Sequence, residues 1–332
     1  VCGAPCETEC RRGDLDQAIA IRTLKRFVCD RFGPQARPDG GKSLIDFIKT
    51  AAQRQPPRQC QDQEELLPLL QALTAGTVPQ VKGKSVGVIG SGPAGLAAAH
   101  DLALLGFSVT IYEMEPIVGG MLAVGIPHYR LPRDLILAEV EAILALGVKA
   151  ITHCCVGRDL SLGELRQRHD FVVIAVGAKR SRRPGCPGAD ADGVLGGVEF
   201  LREVALGASP RLGRRVVVVG GGDAAMDSAR TALRVPSTHE DNAGEQGEHH
   251  LAMDAARTAS RVGGREINVV YRRSRAEMPA VESEIEEAHE EGIQFHLLTN
   301  PVSVEKNERG QVRGVCCQKM QLGQPDASGR RE

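Results

Sequence analysis

Residues 86–95 read VGVIGSGPAG, and this stretch decides the fold. Four apolar residues lead into three glycines spaced G-x-G-x-x-G, and an Ala- and Leu-rich segment follows them. A strand, this turn and a helix in that order form the dinucleotide-binding fingerprint. Gly90 allows the tight turn, Gly92 lets the backbone approach a pyrophosphate, and Gly95 lets helix and strand pack closely. The stretch therefore predicts a Rossmann unit.

The next strand-like run, residues 108–112, ends in Glu113. A carboxylate at that position accepts hydrogen bonds from ribose hydroxyls and repels a 2′-phosphate. The helix that starts at the turn has unpaired N–H groups and a partial positive charge, which favour phosphates. We therefore expect a dinucleotide without a 2′-phosphate at this first site. The predicted contacts at the turn are Gly90, Ser91, Gly92, Pro93, Ala94 and Gly95.

A second glycine turn follows the apolar run at residues 216–219 and reads GGGDAA. Ala225 replaces the third glycine, which the fingerprint tolerates. The following strand, residues 267–271, ends in two arginines, and guanidiniums bind a 2′-phosphate through bidentate, charge-assisted hydrogen bonds. This pattern favours NADP(H) over NAD(H), although arginines at a solvated strand end remain the alternative. The predicted contacts are Gly220, Gly221, Gly222, Asp223, Ala224, Arg272 and Arg273.

Two βαβ openings in one chain predict an α/β fold with parallel sheets and two nested Rossmann-like domains. The predicted domains are residues 84–207 and 208–332, with a connector of short helices at 32–83 and a cysteine-rich helical segment at 1–31. Residues 224–235 and 251–262 match at 9 of 12 positions, which indicates a duplicated helix. We expect this duplication to be an insertion at about 236–264, with a His-containing loop that is more simply solvated than metal-binding.

Composition excludes several classes of protein. The 332 residues carry a formal net charge of −1, so we expect no nucleic-acid partner. No apolar run reaches the roughly 20 residues of a membrane helix, and no signal sequence opens the chain. We therefore expect a cytoplasmic protein without membrane insertion. No C-x-x-C motif occurs among the ten cysteines, which argues against a dithiol active site of the thioredoxin type.

Cys2, Cys6 and Cys10 are spaced by four residues, unlike the C-x₂-C-x₂-C run of a ferredoxin. Three cysteines so close together indicate a metal site, and zinc is one candidate for it. The other seven cysteines are predicted to be small core residues.

Several segments together resemble one enzyme family. They are VCGAPCETECRRGDLDQAIAIRTLKRF at 1–27, the stretch from the first glycine turn to Glu113, GGMLAVGIPHYRLP at 119–132, and VYRRSRAEMPA at 270–280. The chain resembles the glutamate synthase small (beta) subunit-like family of FAD/NAD(P)-dependent oxidoreductases. The same pattern occurs in the N-terminal half of dihydropyrimidine dehydrogenase and in the large subunit of NADH-dependent ferredoxin:NADP oxidoreductase.

The resemblance implies FAD in the first Rossmann domain and NAD(P)H in the second. It places Glu113 at the adenosine ribose, Val156 near the adenine, and Gly177 in the motif that closes the FAD domain. Gly120, Met121 and Arg130 would lie along the cofactor. Cys2, Cys6 and Cys10 would bind a [4Fe–4S] cluster within a small α-helical iron–sulfur domain. The fourth ligand is expected before Val1 or elsewhere, and the chain is expected to be truncated at both ends.

The sequence thus predicts a flavin- and iron–sulfur-dependent oxidoreductase subunit that moves electrons between NAD(P)H, FAD and a [4Fe–4S] cluster. A partner subunit or fused domain would supply the terminal acceptor or donor. Two alternatives remain: a stand-alone NAD(P)H diaphorase, and a non-catalytic interaction subunit with structural FAD. No side chain is predicted to be catalytic, because hydride transfer between cofactors needs no general base.

Overall fold

A computed structural model describes residues 2–36, 81, 83–235, 265–325 and 331. The chain divides into two units, Val1–Ala178 and Lys179–Glu332. The predicted short helices of the connector, the second copy of the helix repeat and the His-containing loop lie outside the described residues.

The N-terminal segment is helical. It contains α1 (Pro5–Thr8), α2 (Ile21–Phe32) and the 3₁₀ turns Arg11–Asp14 and Pro34–Ala36. The apolar spacing predicted a helix already from Leu15, but α2 begins at Ile21. Leu15 is 82% exposed, so its apolar side chain has no core to drive it into a helix.

The first unit is built on a four-stranded parallel sheet with the order β3-β2-β1-β4. Its strands are β1 (Ser85–Ile89), β2 (Ser108–Tyr112), β3 (Lys149–Ile151) and β4 (Phe171–Ile174). Its helices are α3 (Pro93–Leu104), α4 (Met121–Val124), α5 (Arg133–Leu144) and α6 (Leu162–Arg168). Within the sheet, Val88 lies opposite Ile111 on one side and Val173 on the other.

The core of the first unit explains the apolar strand β1. Val86, Val88 and Ile111 are at most 1% exposed, as expected for a parallel sheet covered on its faces. Ile136 and Val140 of α5 pack into the same core. Each fully buried aliphatic side chain contributes roughly 1.5–3 kcal/mol.

The second unit contains a three-stranded parallel sheet with the order β5-β6-β7 and an antiparallel hairpin, β8–β9. Its strands are β5 (Arg215–Val219), β6 (Glu266–Val270), β7 (Gln294–His296), β8 (Thr299–Lys306) and β9 (Val312–Lys319). Its helices are α7 (Gly197–Ala205), α8 (Asp223–Arg234) and α9 (Glu282–Glu290), and a 3₁₀ turn spans Arg275–Glu277. Parallel sheets in both units confirm the predicted α/β fold class.

The division between the units differs from the predicted domain boundary at 207/208. Phe200 and Leu201 of α7 are buried in the same core as Met226 and Ile267. Since α7 packs on α8 in this way, residues 179–207 lie in the second unit and not in the first.

A buried ion cluster joins α8 to α9. The Arg230 side chain is 6% exposed, and its guanidinium lies 2.8 Å from carboxylate oxygens of Glu284, Glu287 and Glu291. Arg234 lies 2.7 Å from Glu291 as well. Because a buried charge without a partner is costly, the cluster fixes the helix that starts at the second glycine turn against its neighbour.

Candidate dinucleotide sites

The first glycine turn connects β1 to α3 at the carboxyl end of the sheet. Gly90 has φ +99°, and a Cβ there would collide with the carbonyl oxygen of Ala175. A Cβ on Gly95 would collide with the carbonyl oxygen of Gly90, whereas a Cβ on Gly92 would meet no atom within 4 Å. Gly90 and Gly95 are therefore required by packing, and Gly92 faces the open space that a pyrophosphate needs. Pro93 opens α3 and Ala94 is exposed beside it.

Ser91 ties the first turn to the end of β2. Its backbone N–H donates to Glu113 Oε2 at 2.9 Å, and its hydroxyl donates to the same oxygen. The N–H of Glu115 donates to Glu113 Oε1 at 2.9 Å, and Glu113 is 1% exposed. The Glu113 carboxylate thus holds the turn in place, in addition to the ribose contact that the sequence predicts.

The double glycine at 119–120 packs on the same turn. The N–H of Gly119 donates to Ser91 Oγ at 3.1 Å, and Gly120 has φ +54°. A Cβ on Gly120 would lie 2.6 Å from Gly92 Cα. The sequence prediction included Gly120 but missed Gly119, although two adjacent glycines already indicate a close backbone approach.

The other residues predicted along the first cofactor lie around this edge. The side chain of Met121 folds against Gly125, and Arg130 is half-buried, with its N–H donating to Pro127 O at 3.0 Å. Val156 packs against Ile89, Tyr112 and Leu165 in a small core at the ends of β1 and β2. Gly177 follows β4 with φ +65° and is exposed.

Tyr112, the residue before Glu113, pairs with His169, and the sequence prediction missed this pair. Tyr112 Oη and His169 Nε2 are 2.9 Å apart, and a Cβ on Gly87 would lie 2.8 Å from the His169 ring. Burial, followed by the charge of Arg168, lowers the pKa of His169. The histidine is thereby kept neutral, which suits a hydrogen bond with a tyrosine hydroxyl.

The second glycine turn connects β5 to α8. Gly220 has φ +140°, and its N–H donates to Val270 O at 3.0 Å. A Cβ on Gly221 would lie 2.7 Å from the Tyr271 ring, and one on Gly222 would lie 3.6 Å from Pro279. Ala224 is exposed on the first turn of α8.

Residues 274–281, which we call the 274–281 loop, fold back over this turn. The N–H of Ala280 donates to Gly221 O at 3.1 Å. Asp223 Oδ1 accepts the N–H of Val281 at 3.0 Å, and the Tyr271 hydroxyl donates to Glu277 O at 2.6 Å. The sequence prediction did not include this arrangement, in which Asp223 and Val281 lie 58 positions apart in the chain.

The two arginines after β6 differ in their surroundings. Arg272 is exposed, whereas Arg273 is 7% exposed and its carbonyl oxygen accepts the N–H of Leu298 at 3.0 Å. Arg275 was not predicted; its Nε lies 2.9 Å from Glu282 Oε1, and half of its side chain is exposed. Arg272 is therefore the predicted phosphate ligand that is most accessible to a nucleotide.

The cysteines of the N-terminal segment do not converge. No group of three or more His, Cys, Asp or Glu side chains in the described part of the chain is arranged to hold a metal ion. Cys2 Sγ accepts the N–H of Ala4 at 3.4 Å, and Cys10 Sγ accepts the N–H of Ile19 at 3.5 Å. Backbone N–H groups of Ile19 and then Arg12 lower the pKa of the Cys10 thiol. Such hydrogen bonds suit thiolates, but the arrangement does not fit a cluster.

The prediction that the remaining cysteines are core residues is wrong where the structure describes them. Cys29, Cys316 and Cys317 are exposed, and Cys154, Cys155 and Cys186 are half-buried. Of these six, Cys154 packs against the small core that contains Ile89 and Tyr112. Among the described residues, no helix is both long and apolar enough to cross a bilayer.

Each unit thus carries a glycine turn between a parallel strand and a helix, which is the arrangement of a candidate dinucleotide site. The chain belongs to the pyridine nucleotide-disulphide oxidoreductase family, whose model matches residues 84–323. This membership confirms the family on which the enzyme class predicted from the sequence rests.

Three relatives narrow the assignment. The chain is 42% identical to the beta subunit of an NADP(+)-dependent formate dehydrogenase from Moorella thermoacetica, over 100% of the chain and 41% of that protein. It is 40% identical to the beta subunit of an NADPH-Fe(3+) oxidoreductase from Geobacter sulfurreducens, again over 100% and 41%. The Escherichia coli glutamate synthase [NADPH] small chain is 34% identical over 98% of the chain and 58% of that protein. The predicted relationship to glutamate synthase small subunits is confirmed.

The chain spans about two fifths of the length of the first two relatives. Among solved structures, Mycobacterium tuberculosis FprA in complex with NADPH superposes with a TM-score of 0.59 at 22% identity, covering 75% of the chain and 66% of FprA. That likeness supports the fold of the chain.

Proposed function

We propose that the chain binds FAD at the first glycine turn and NADP(H) at the second, and transfers electrons between them. We also propose a [4Fe–4S] cluster at Cys2, Cys6 and Cys10, on the basis of the family resemblance alone. In this role the chain serves a partner subunit or fused domain that holds the terminal acceptor or donor. NAD(H) is the alternative nucleotide at the second turn.

One observation carries this proposal: the same kind of turn occurs in both units, but the strand after it ends in opposite charges. Glu113 follows β2 and Arg272 follows β6. A carboxylate disfavours a 2′-phosphate and an exposed guanidinium favours it, so the two turns suit two different dinucleotides.

The residues present fit such groups. Gly92 leaves open space where the first pyrophosphate would approach, and α3 and α8 each direct a helix N-terminus at a turn. When bound, a flavin accepts a hydride from a nicotinamide and can pass the electrons on one at a time. The chain positions the two dinucleotides and tunes their binding, and no side chain is required as a catalytic acid or base.

The cluster is the part of the proposal that depends on resemblance. Cys2, Cys6 and Cys10 supply thiol groups, and the backbone N–H groups of Ala4 and Ile19 donate to Cys2 Sγ and Cys10 Sγ. Since these thiols do not converge among the described residues, we assign them no step of the reaction.

The proposed partner follows from the relatives. Two are named as beta subunits and one as a small chain. The chain matches only part of each, so the acceptor and the direction of electron flow belong to the whole assembly.

The test uses the full-length protein purified under anaerobic conditions with its bound cofactors. We expect NADPH to bleach the visible flavin absorption, and NADH to do so more slowly. Absence of bleaching with either nucleotide would overturn the proposal and support structural FAD. Iron and zinc analysis of wild type and Cys6→Ala tests the cluster: loss of iron in the variant supports it, whereas zinc or no metal in wild type excludes it.

A further inference from the structure

In the second unit, the segment that follows the arginines after β6 contacts the glycine turn at 220–222. The glycine turn at 220–222 would face the pyrophosphate, and the arginines after β6 would face the 2′-phosphate. The 274–281 loop, which continues directly from those arginines, lies on the turn itself. The position of the phosphate-binding arginines therefore depends on how firmly this loop is held.

Among the described residues, three hydrogen bonds join the loop to the glycine turn, to Asp223 and to Tyr271, and one of the three lies wholly between backbone atoms. That one joins Ala280 N–H to Gly221 O. The second runs from the Tyr271 hydroxyl to Glu277 O at 2.6 Å, and the third from Val281 N–H to Asp223 Oδ1 at 3.0 Å. Tyr271 and Asp223 are the side chains through which substitution can loosen the loop.

Tyr271 makes two kinds of contact: its hydroxyl bonds to the loop, and its ring packs on the glycine turn. The ring packs against Gly221, where a Cβ would come within 2.7 Å of the ring. Phenylalanine keeps this packing and removes only the hydroxyl. The Tyr271→Phe variant therefore isolates the hydrogen bond to the loop from the packing on the turn.

Asp223 also holds the 274–281 loop, through its contact with Val281. Its carboxylate accepts the N–H of Val281, the N-cap residue of α9, so Asp223 ties the start of α8 to the end of the loop. Asparagine retains an acceptor oxygen at this position, whereas alanine removes it.

We infer that Tyr271 and Asp223 are positioning residues for coenzyme selectivity. They clamp the 274–281 loop onto the glycine turn, and the clamped loop aligns Arg272 with a 2′-phosphate. The inference rests on the proposed function in one respect, namely that the second turn takes NADP(H). NADH does not use the aligned arginine, so loosening the loop weakens NADPH binding selectively.

The experiment compares Tyr271→Phe, Asp223→Ala and Asp223→Asn with wild type in the anaerobic holoprotein. The readouts are the Kd of NADP⁺ and of NAD⁺ by calorimetry and the ratio of kcat/KM for NADPH and NADH in flavin reduction. Loss of one hydrogen bond in the loop predicts an about fivefold fall in the NADPH-to-NADH ratio for Tyr271→Phe. Asp223→Ala should show a similar fall, and Asp223→Asn should restore most of the ratio.

Ser228→Ala is the matched control. Ser228 donates from its hydroxyl to the carbonyl of Ala224 at 2.7 Å in the same unit, without contact to the loop. This variant also loses a hydroxyl–carbonyl bond, and its ratio should equal that of wild type.

The outcomes separate the inference from the proposed function. An unchanged ratio in both Tyr271→Phe and Asp223→Ala, or an equal loss for both nucleotides, would overturn the clamp while wild type still prefers NADPH. If wild type binds NAD⁺ as tightly as NADP⁺, the assignment of the second turn is wrong and the clamp fails with it.

Discussion

The two glycine turns are closed by different chemistry. A buried side chain closes the first: Ser91 links Glu113 to the turn, and Gly120 packs on Gly92. A returning loop closes the second, held by Tyr271 and Asp223. The two turns therefore share one sequence fingerprint, while the residues after the next strand determine how each turn is held.

The largest expected effect tests whether the second unit depends on its buried charges. Arg230→Met leaves Glu284, Glu287 and Glu291 close together without their common cation. Removing one partner of a buried ion cluster costs about 4 kcal/mol in free energy of unfolding, measurable by urea denaturation. Leu96 and Ala99 of α3 lie in the core of the first unit. Leu96→Met should lower the free energy of unfolding by less than about 1.5 kcal/mol. Equal losses of unfolding free energy in Arg230→Met and Leu96→Met would contradict the dependence of the second unit on its buried charges.

The next prediction concerns the one fingerprint position that differs between the turns. A Cβ at Gly95 would collide with the Gly90 carbonyl, whereas the second turn already has Ala225. We expect Gly95→Ala to lower the free energy of unfolding by about 3 kcal/mol and to reduce bound flavin. Ala225→Gly should cost only about 1 kcal/mol, through helix propensity. Full flavin content in Gly95→Ala would show that the turns tolerate the same residues.

The third prediction sharpens the role of Ser91. Ser91→Ala removes the buried hydroxyl that donates to Glu113 and accepts the N–H of Gly119, and leaves the backbone N–H donor to Glu113 in place. We expect a loss of about 2 kcal/mol in FAD affinity, measured as flavin retained on gel filtration. Ser161→Ala is the control, because it deletes the cap of α6 and should cost about 1 kcal/mol of stability without releasing flavin. Equal retention in both variants would reject the role of Ser91.

The smallest effect concerns acid stability at the opposite end of the first sheet. A hydrogen bond from Lys84, followed by one from the N–H of Ser85, lowers the pKa of Asp170 from 3.8 to about 2. Because the folded-state pKa is depressed, this stabilisation is present above about pH 3.8 and is lost as the pH falls towards 2. Asp170→Asn should therefore weaken the protein at pH 6 and differ little from wild type near pH 2, as followed by thermal melting.

The sequence predicted both turns and the α/β class because local order carries them. A strand, closely spaced glycines and a helix can be identified within ten residues. The clamp by Tyr271 and Asp223 could not be predicted in this way, since it joins residues far apart in the chain.

The sequence also could not predict which way the side chains at the two sites point. It indicated a carboxylate at 113 and arginines at 272 and 273, but not that Glu113 turns inward or that only Arg272 is exposed. The domain boundary was misplaced because α7 reads equally well as the end of one domain or the start of the next. Only the burial of Phe200 and Leu201 decides between them.

The crowding around Gly87 has a consequence for protein engineering. The corresponding residue of the second unit is Val217, which is 41% exposed. A chimera that grafted β5 and its turn into the first unit would bring a valine against the His169 imidazole, where even a methyl group has no room. A graft of the second glycine turn into the first unit must therefore leave out the strand that leads into it.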